Sequence, residues 1–233
     1  MDDTVDTEGS PDRGAALAAL PLESYESAEV RHRHGMEHLG MWLFIGSDAV
    51  FLMLEVFSWF YLRFLNTNGM WRGVLCSPAK PCLDGLGNPL NHAIPAAGIL
   101  YSLLVLVFTA IAVLLVYLVE MSSREQRGRS VIGRAAGLSL VFLLAAIAMS
   151  FYQFQHLPFT TVDGAYASAY EFFIGSSLAH VIILAIVGLG VWNRARKGAY
   201  DDGRWYPVKL IRIFAAWVLF TVAVLAFFST FFS

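Results

Sequence analysis

Five long apolar segments, separated by short polar connections, dominate the pattern of hydrophobic and polar positions. They cover residues 39–65, 93–119, 135–155, 165–192 and 213–232. A hydrocarbon layer of about 30 Å needs about 20 apolar residues in a helix, so each segment is long enough to cross it. Runs of this length without period-two alternation favour helices over barrel strands. Together with 57% hydrophobic residues, the pattern predicts an all-α integral membrane bundle of five transmembrane helices within residues 31–233.

The number of basic residues alternates between high and low along the successive connections. Of the 16 lysines and arginines, all but Arg63, Arg72 and Lys80 lie before the first segment or in the second and fourth connections. Because basic residues concentrate on the cytoplasmic side, this distribution predicts a cytoplasmic N-terminus and an extracytoplasmic C-terminus. Topology and anionic headgroups account for these bases, and no nucleic-acid signature is present.

Residues 1–30 differ in composition from the rest of the chain. They are acidic and contain Gly, Ser and Pro, without the positive start and longer apolar core of a secretory signal. We therefore expect a disordered cytoplasmic tail.

Both cysteines, Cys76 and Cys82, lie in the first outside connection. Two of the residues between them are prolines, and in an oxidising compartment the pair is expected to close a small disulfide ring. Two unpaired thiols are the main alternative. A zinc site is less favoured because only His92 lies nearby as a further ligand, and no Cys-x-x-Cys-His motif for covalent haem is present.

Ionisable and carboxamide side chains inside apolar segments are candidates for function, because burying them in hydrocarbon is costly. The candidate proton or polar sites are Asp48, Glu55, Gln153 and His180. Asp48 and Glu55 are seven residues apart, which is two turns and about 10.5 Å along one helix face. The alternative to a functional role for Asp48 and Glu55 is that each side chain simply forms a hydrogen bond with a neighbouring helix. For His180, such a hydrogen bond is favoured over ligation of a metal.

Other polar positions fit simpler interpretations. His156 and Glu171 are expected at the membrane interface, and His32, His34 and His38 are expected near lipid headgroups rather than a metal. The sequence contains no haem ligand pair, copper cluster, nucleophile elbow or phosphate loop. No catalytic residue, cofactor site or metal ligand is therefore predicted in this chain.

Three pieces of the chain form a recognisable series of motifs. They are Gly46-Ser47-Asp48 followed by the aromatic run Phe60 to Arg63, then Tyr152-Gln153-Phe154 followed by residues 166–175, and finally His180-Val181. In order and spacing, over residues 38–230, this series resembles subunit III of the haem-copper oxidases, the cytochrome c oxidase subunit 3 family, in its short five-helix form.

The chain departs from the family pattern at several positions. Asp48 stands where the family has Glu, Gln153 where Glu is common, and Ser177 where the first His of the penultimate helix would fall. Residues 209–216 replace the His and Asp of the last helix, in which only Trp217 is recognisable. Asp48 still has a carboxylate. The resemblance therefore implies the role of the family's intramembrane acid for Asp48 alone.

The resemblance implies a non-catalytic subunit that packs on oxidase subunit I, beside subunit II, in the inner (plasma) membrane of a prokaryote. Such a subunit holds phospholipids between its helices and supports proton uptake and sustained oxygen reduction in aerobic electron transport. Haem and copper are expected in the partner subunits. A larger respiratory supercomplex is a further partner that the resemblance leaves open.

Three alternatives remain, of which the first is closely related and the other two belong to different classes of protein. An accessory subunit of a nitric oxide reductase would have the same kind of helices beside a different partner. A stand-alone transporter is less favoured, because the sequence shows no inverted repeat and no span broken by proline. The one proline within the spans, Pro95, lies at the start of its span, which is a normal first-turn position. A structural protein that organises lipids or assembly is the third.

Overall fold

The computed structural model describes residues 22–65, 71, 82–83, 89–90, 96–200 and 205–232, with the backbone alone at residues 22–31, 82–83, 89–90 and 162. Its helices are α1 (Leu22–Phe64), α2 (Ile99–Arg124), α3 (Arg129–Gln155), α4 (Ala165–Arg196) and α5 (Tyr206–Phe231). A 3-10 turn, Thr161–Asp163, precedes α4. Two short antiparallel strands, β1 (Cys82–Leu83) and β2 (Pro89–Leu90), lie between α1 and α2.

All five helices are long and apolar enough to cross a membrane, with His32–Phe64 as the spanning part of α1. The predicted number, type and order of the spans are therefore confirmed. The side of the membrane that each terminus faces stays a prediction.

Several helices extend beyond the predicted apolar segments. α2 ends at Arg124, α3 begins at Arg129, α4 ends at Arg196 and α5 begins at Tyr206, each four to seven residues further than predicted. The apolar run marks only the hydrocarbon layer, whereas arginine and aromatic side chains continue the same helix into the headgroup region. In contrast, α2 begins at Ile99 rather than at residue 93.

The N-terminal tail and the cysteine ring remain predictions. Helix α1 begins at Leu22, within the segment that was expected to be a tail, and residues 1–21 lie outside the described part of the chain. Cys76 also lies outside it, and Cys82 is described only as backbone in β1.

The chain divides into two compact units, residues 1–43 and residues 44–233. In the first unit, Arg33 pairs with Glu37 at 3.3 Å, and the Trp42 indole donates a hydrogen bond to His38 at 3.1 Å. Both contacts join residues four apart and stabilise the helix locally.

Buried aromatic rings form the core of the second unit near the start of α4. The Trp59 side chain of α1 is fully buried, stacks on Phe173 of α4 with ring centroids 4.7 Å apart, and meets Trp71 edge-on. Tyr166 joins the cluster, and its hydroxyl accepts a hydrogen bond from the Ala97 backbone ahead of α2 at 3.1 Å. Offset and edge-to-face ring pairs of this kind contribute beyond the apolar area they bury. The cluster therefore fixes α1 against α4.

A buried ion cluster joins α2 to α5 near the opposite end of α4. The Glu120 carboxylate is 2% exposed and pairs with Arg124, one turn later at 2.6 Å, and with Arg212 of α5. The Arg124 guanidinium also lies over the Trp205 ring, 4.1 Å from its centroid. Glu120 lies one residue past the predicted second segment, so the sequence interpretation did not include it. The signal was an acid four residues before an arginine at a helix end.

Removing the Glu120 carboxylate should destabilise the bundle more than removing an exposed acid nearby. In Glu120→Ala two arginines lose their shared partner, and the expected cost is about 2 kcal/mol, between the values for exposed and fully buried pairs. Glu125→Ala is the matched control, because the Glu125 pair with Arg127 is largely exposed, and it should cost less than about 1 kcal/mol. Unfolding in mixed detergent micelles measures both, and equal costs would contradict this role of Glu120.

Candidate functional site

Three helices meet at the carboxylate of Asp48. Helix α1 supplies Asp48, and α4 supplies His180, whose Nε2 lies 2.9 Å from Asp48 Oδ2 and 3.1 Å from Oδ1. Helix α5 supplies Trp217, whose indole N–H donates to Oδ2 at 2.5 Å. The structure thus brings together two of the four predicted polar candidates and adds an indole donor.

The site lies deep in the helical layer. His180 is the sixteenth of the 32 residues in α4. At a rise of 1.5 Å per residue, the ends of the helix are about 23 and 24 Å away along its axis. Water and headgroups at the membrane surfaces are therefore distant, and the polar groups depend on one another for hydrogen bonds.

The hydrogen bonds of His180 fix the number of protons in the contact. Its Nδ1 lies 2.7 Å from the backbone oxygen of Ser176, which can only accept, so Nδ1 carries a hydrogen. The contact between Nε2 and the Asp48 carboxyl then needs one further proton, on either the nitrogen or the oxygen, because two lone pairs would otherwise face each other. In both forms the pair has no net charge, which suits a low-dielectric environment.

Glu55 lies beside this pair, two turns further along α1. Its side chain is 2% exposed, and it faces the Ser176 hydroxyl within electrostatic range of His180 and Asp48. Neither carboxyl oxygen of Glu55, nor the Ser176 hydroxyl, has a hydrogen-bond partner within ordinary distance and angle limits among the described residues. Since a bare buried carboxylate is costly, Glu55 needs a proton, a water molecule or a donor from another molecule.

The Asp48–His180 pair reaches the surface of the bundle. The exposed fractions of the two side chains are 18% and 11%. At this depth, the surrounding medium is lipid or another membrane protein rather than bulk water. The geometry therefore places a proton-holding group at the surface of the bundle, midway along its helices.

Gln153 belongs to a separate polar network. Its amide donates to the Ser102 hydroxyl at 2.9 Å and to the Tyr170 hydroxyl at 3.0 Å, which links α3 to α2 and α4. A cavity of about 30 Å³ beside it, which Ser150 and Ser177 also line, is large enough for a water molecule. Gln153 therefore holds helices together and does not contribute to the Asp48 site.

The remaining candidate positions lie apart from both networks. His156 is exposed and stacks on Tyr152, with ring centroids 3.9 Å apart. Glu171 is half-buried in the second turn of α4. Within the part of the chain that the structure describes, no three His, Cys, Asp or Glu side chains come close enough together to hold a metal ion.

Sequence reasoning missed the roles of Trp217 and Ser176. Trp217 was noticed only as a remnant of a family motif, yet its N–H completes the hydrogen bonding of Asp48. The predicted segment began at residue 213 and so placed Trp217 near the interfacial level where tryptophan is enriched, and the sequence therefore gave no signal of this role. The role of Ser176 depends on its backbone oxygen, which no side-chain pattern reveals.

No protein-family model matches this chain, and no curated protein sequence matches it either. Function is therefore inferred from the geometry of the site and from the resemblance of its motifs.

The Asp48–His180 contact should appear as an energetic coupling between the two residues. We expect Asp48→Ala and His180→Ala each to destabilise the protein, and the double variant to cost about 1–2 kcal/mol less than the sum of the two. Equilibrium unfolding in mixed micelles measures the three free energies. Ser58→Ala, which changes an exposed residue of α1, should combine additively with His180→Ala. Additive costs for the Asp48 and His180 variants would contradict the contact.

Proposed function

We propose that this protein is a non-catalytic accessory subunit of a haem-copper oxygen reductase in the plasma membrane of a prokaryote, and that the Asp48–His180 pair is its functional centre. In this proposal it packs on the redox subunit, which holds the haem and copper, and supports proton uptake during sustained turnover. The proton-holding pair that reaches the surface at mid-membrane depth is the observation that carries the proposal.

The chemistry of the pair suits a reservoir for one proton. The shared proton can be held nearer to His180 Nε2 or nearer to Asp48 without changing the net charge, because both forms are neutral overall. Gaining or losing a proton would leave a net charge in hydrocarbon, which a charged or hydrated partner surface would stabilise. Such a group is useful beside a proton-consuming neighbour and has little use when surrounded by lipid alone.

The outward face of α1 supports a protein partner on the same side. Ser47, Leu54, Ser58 and Tyr61 lie on one face of the helix and are exposed. Small hydroxyl residues in a membrane-facing position allow a second helix to approach closely and form hydrogen bonds across the interface. Asp48 adjoins this face, so a partner helix docked there would come close to the proton-holding pair.

Co-purification tests the proposed partner. Capture of the tagged full chain in a mild detergent should recover a larger subunit that contains haem and copper and consumes oxygen. Ser58→Trp, which adds bulk on the exposed α1 face, should reduce the haem recovered, whereas Leu144→Trp on an exposed position of α3 should not. Recovery of a colourless homo-oligomer would contradict the proposal and favour a transporter. Consumption of nitric oxide in place of oxygen would identify the reductase alternative.

Turnover of the recovered complex tests the role of the pair. Asp48→Asn preserves the shape of the side chain but removes an exchangeable proton, so we expect an assembled complex whose turnover decays sooner. His180→Gln should have the same effect, and the double variant should be no worse than either single variant, because both disrupt one shared proton. Oxygen consumption followed over many minutes measures this, with Glu125→Gln as the control for loss of an exposed acid. Unchanged turnover would show that Asp48 has only a structural role.

A further inference from the structure

Two glutamates of the bundle are equally buried but have different surroundings. Glu55 of α1 and Glu120 of α2 are each 2% exposed. Glu120 pairs with Arg124 and Arg212, whereas none of the ion pairs between described residues includes Glu55. A buried carboxylate without a cation is strongly disfavoured, so such a position stabilises the neutral carboxyl group. The surroundings therefore favour a protonated Glu55 and an ionised Glu120.

The ionisable neighbours of Glu55 are the two members of the pair already described. Among the described residues, Asp48 of the same helix and His180 of α4 are the titratable groups within electrostatic range of its carboxyl. Helix α5 contributes the Trp217 indole to this site, which donates to Asp48 and does not titrate. Because the pair is neutral overall, it provides no counter-ion for Glu55.

Ser176 lies between Glu55 and the pair. Residues later in α1 contact residues earlier in α4, from Asp48 with His180 to Trp59 with Phe173. One turn, or about 6 Å, separates Ser176 from His180, so Ser176 is level with the gap between Asp48 and Glu55. Side chains in an α-helix incline toward its start, which directs Glu55 toward this gap.

The two oxygens of Ser176 face different partners. Its backbone oxygen accepts a hydrogen bond from His180 Nδ1 at 2.7 Å, and its hydroxyl faces the Glu55 carboxyl. Among the described residues, the hydroxyl has no hydrogen-bond partner within ordinary limits. A hydroxyl can accept one hydrogen bond while it donates another, so it can pass a proton onward, directly or through a water molecule. Ser176 can therefore connect Glu55 to the pair.

Aromatic rings fill the space beyond Glu55, on the side away from the pair. Trp59 lies one turn further along α1, is fully buried and stacks on Phe173. Trp71 and Tyr166 pack edge-on against it, and the Tyr166 hydroxyl is bonded to the backbone ahead of α2. An indole N–H can only donate, so it cannot relay a proton. The pair, which reaches the surface of the bundle, offers Glu55 a polar connection that these rings do not.

We propose that Glu55 is a second proton-binding residue behind the Asp48–His180 pair, and that its proton exchanges with the surroundings through Ser176 and that pair. When the pair gives its proton to a neighbour, the Glu55 O–H bond breaks, a bond to hydrogen re-forms on Asp48 or on His180 Nε2, and the negative charge moves to Glu55. The site then holds two exchangeable protons. This inference rests on the proposed role of the pair as a proton-holding centre.

Infrared spectroscopy of the full chain in detergent tests whether Glu55 carries a proton. A protonated carboxyl has a carbonyl band separate from the bands of carboxylates, and this band shifts when deuterium replaces the proton. At neutral pH, Glu55→Gln should remove one such band, whereas Glu125→Gln, which changes an exposed acid, should remove none. A band belonging to Asp48 is recognised by its loss in Asp48→Asn. A spectrum that Glu55→Gln leaves unchanged in this region would overturn the proposal.

The rate at which the Glu55 band shifts in heavy water tests the route. Ser176→Ala removes the hydroxyl but keeps the backbone oxygen that holds His180. We expect it to slow exchange by about tenfold, the change in rate that corresponds to the loss of about one hydrogen bond. Ser177→Ala is the matched control, because this next residue lines the separate cavity beside Gln153 and should not alter the rate. Equal rates in the two serine variants would refute the route.

A conservative variant separates loss of the route from loss of the fold. Asp48→Asn should slow exchange at Glu55, whereas Asp48→Glu keeps a carboxyl and should exchange at close to the original rate. Equal slowing in both would count against a route through the Asp48 carboxyl. These measurements need no partner, so a failed co-purification combined with the expected exchange rates would refute the accessory role and leave this inference standing.

Discussion

In hydrocarbon, a polar side chain has to find its hydrogen-bond partner within the protein, and the contact between Asp48 and His180 meets this constraint across two helices. The two residues are separated by 132 positions in sequence, and Trp217 joins them from a third helix. An apolar contact between membrane helices gains little over contact with lipid, because both surroundings are equally apolar. The hydrogen bonds around one carboxylate therefore help to determine how α1, α4 and α5 are arranged.

The two ends of the helical bundle are stabilised by different kinds of interaction. Near the start of α4, aromatic rings around Trp59 bury apolar surface and pack against one another. Near the other end, Glu120 draws arginines from α2 and α5 into one ion cluster, at a depth where the guanidinium groups remain partly exposed. Between these ends, the middle of the bundle holds the Asp48–His180 pair, which is neutral overall, with the buried Glu55 carboxyl beside it.

The five spans could be predicted from the sequence because the length of each apolar run matches the thickness of a bilayer. Most of the helices were predicted to be too short, because hydropathy marks the part of a helix that lies in lipid and not the full length of the helix. The sequence also placed Asp48 and Glu55 on one face correctly, since seven residues make two turns, and both side chains face the same site. It could not identify His180 as the partner, because helical periodicity defines faces but not which helices are neighbours. For the same reason, the contacts of Trp217 with Asp48 and of Arg212 with Glu120 could not be predicted. The sequence analysis also listed Gln153 together with Asp48 and His180, whereas the structure places it in a separate network.

The continuity of the helices through the site bears on what the site can do. Helix α4 runs without interruption from Ala165 to Arg196 past His180, and α1 does the same past Asp48. Transporter sites at this depth are typically built from broken helices, whose freed backbone groups coordinate the ion or substrate. Here the backbone contributes one carbonyl oxygen, from Ser176, and that oxygen is occupied by His180 Nδ1. What remains is a shared proton and, beside it, the Glu55 carboxyl, which has no hydrogen-bond partner in the described part of the chain. Such a set offers no coordination shell for a larger solute, and this favours an accessory role over transport.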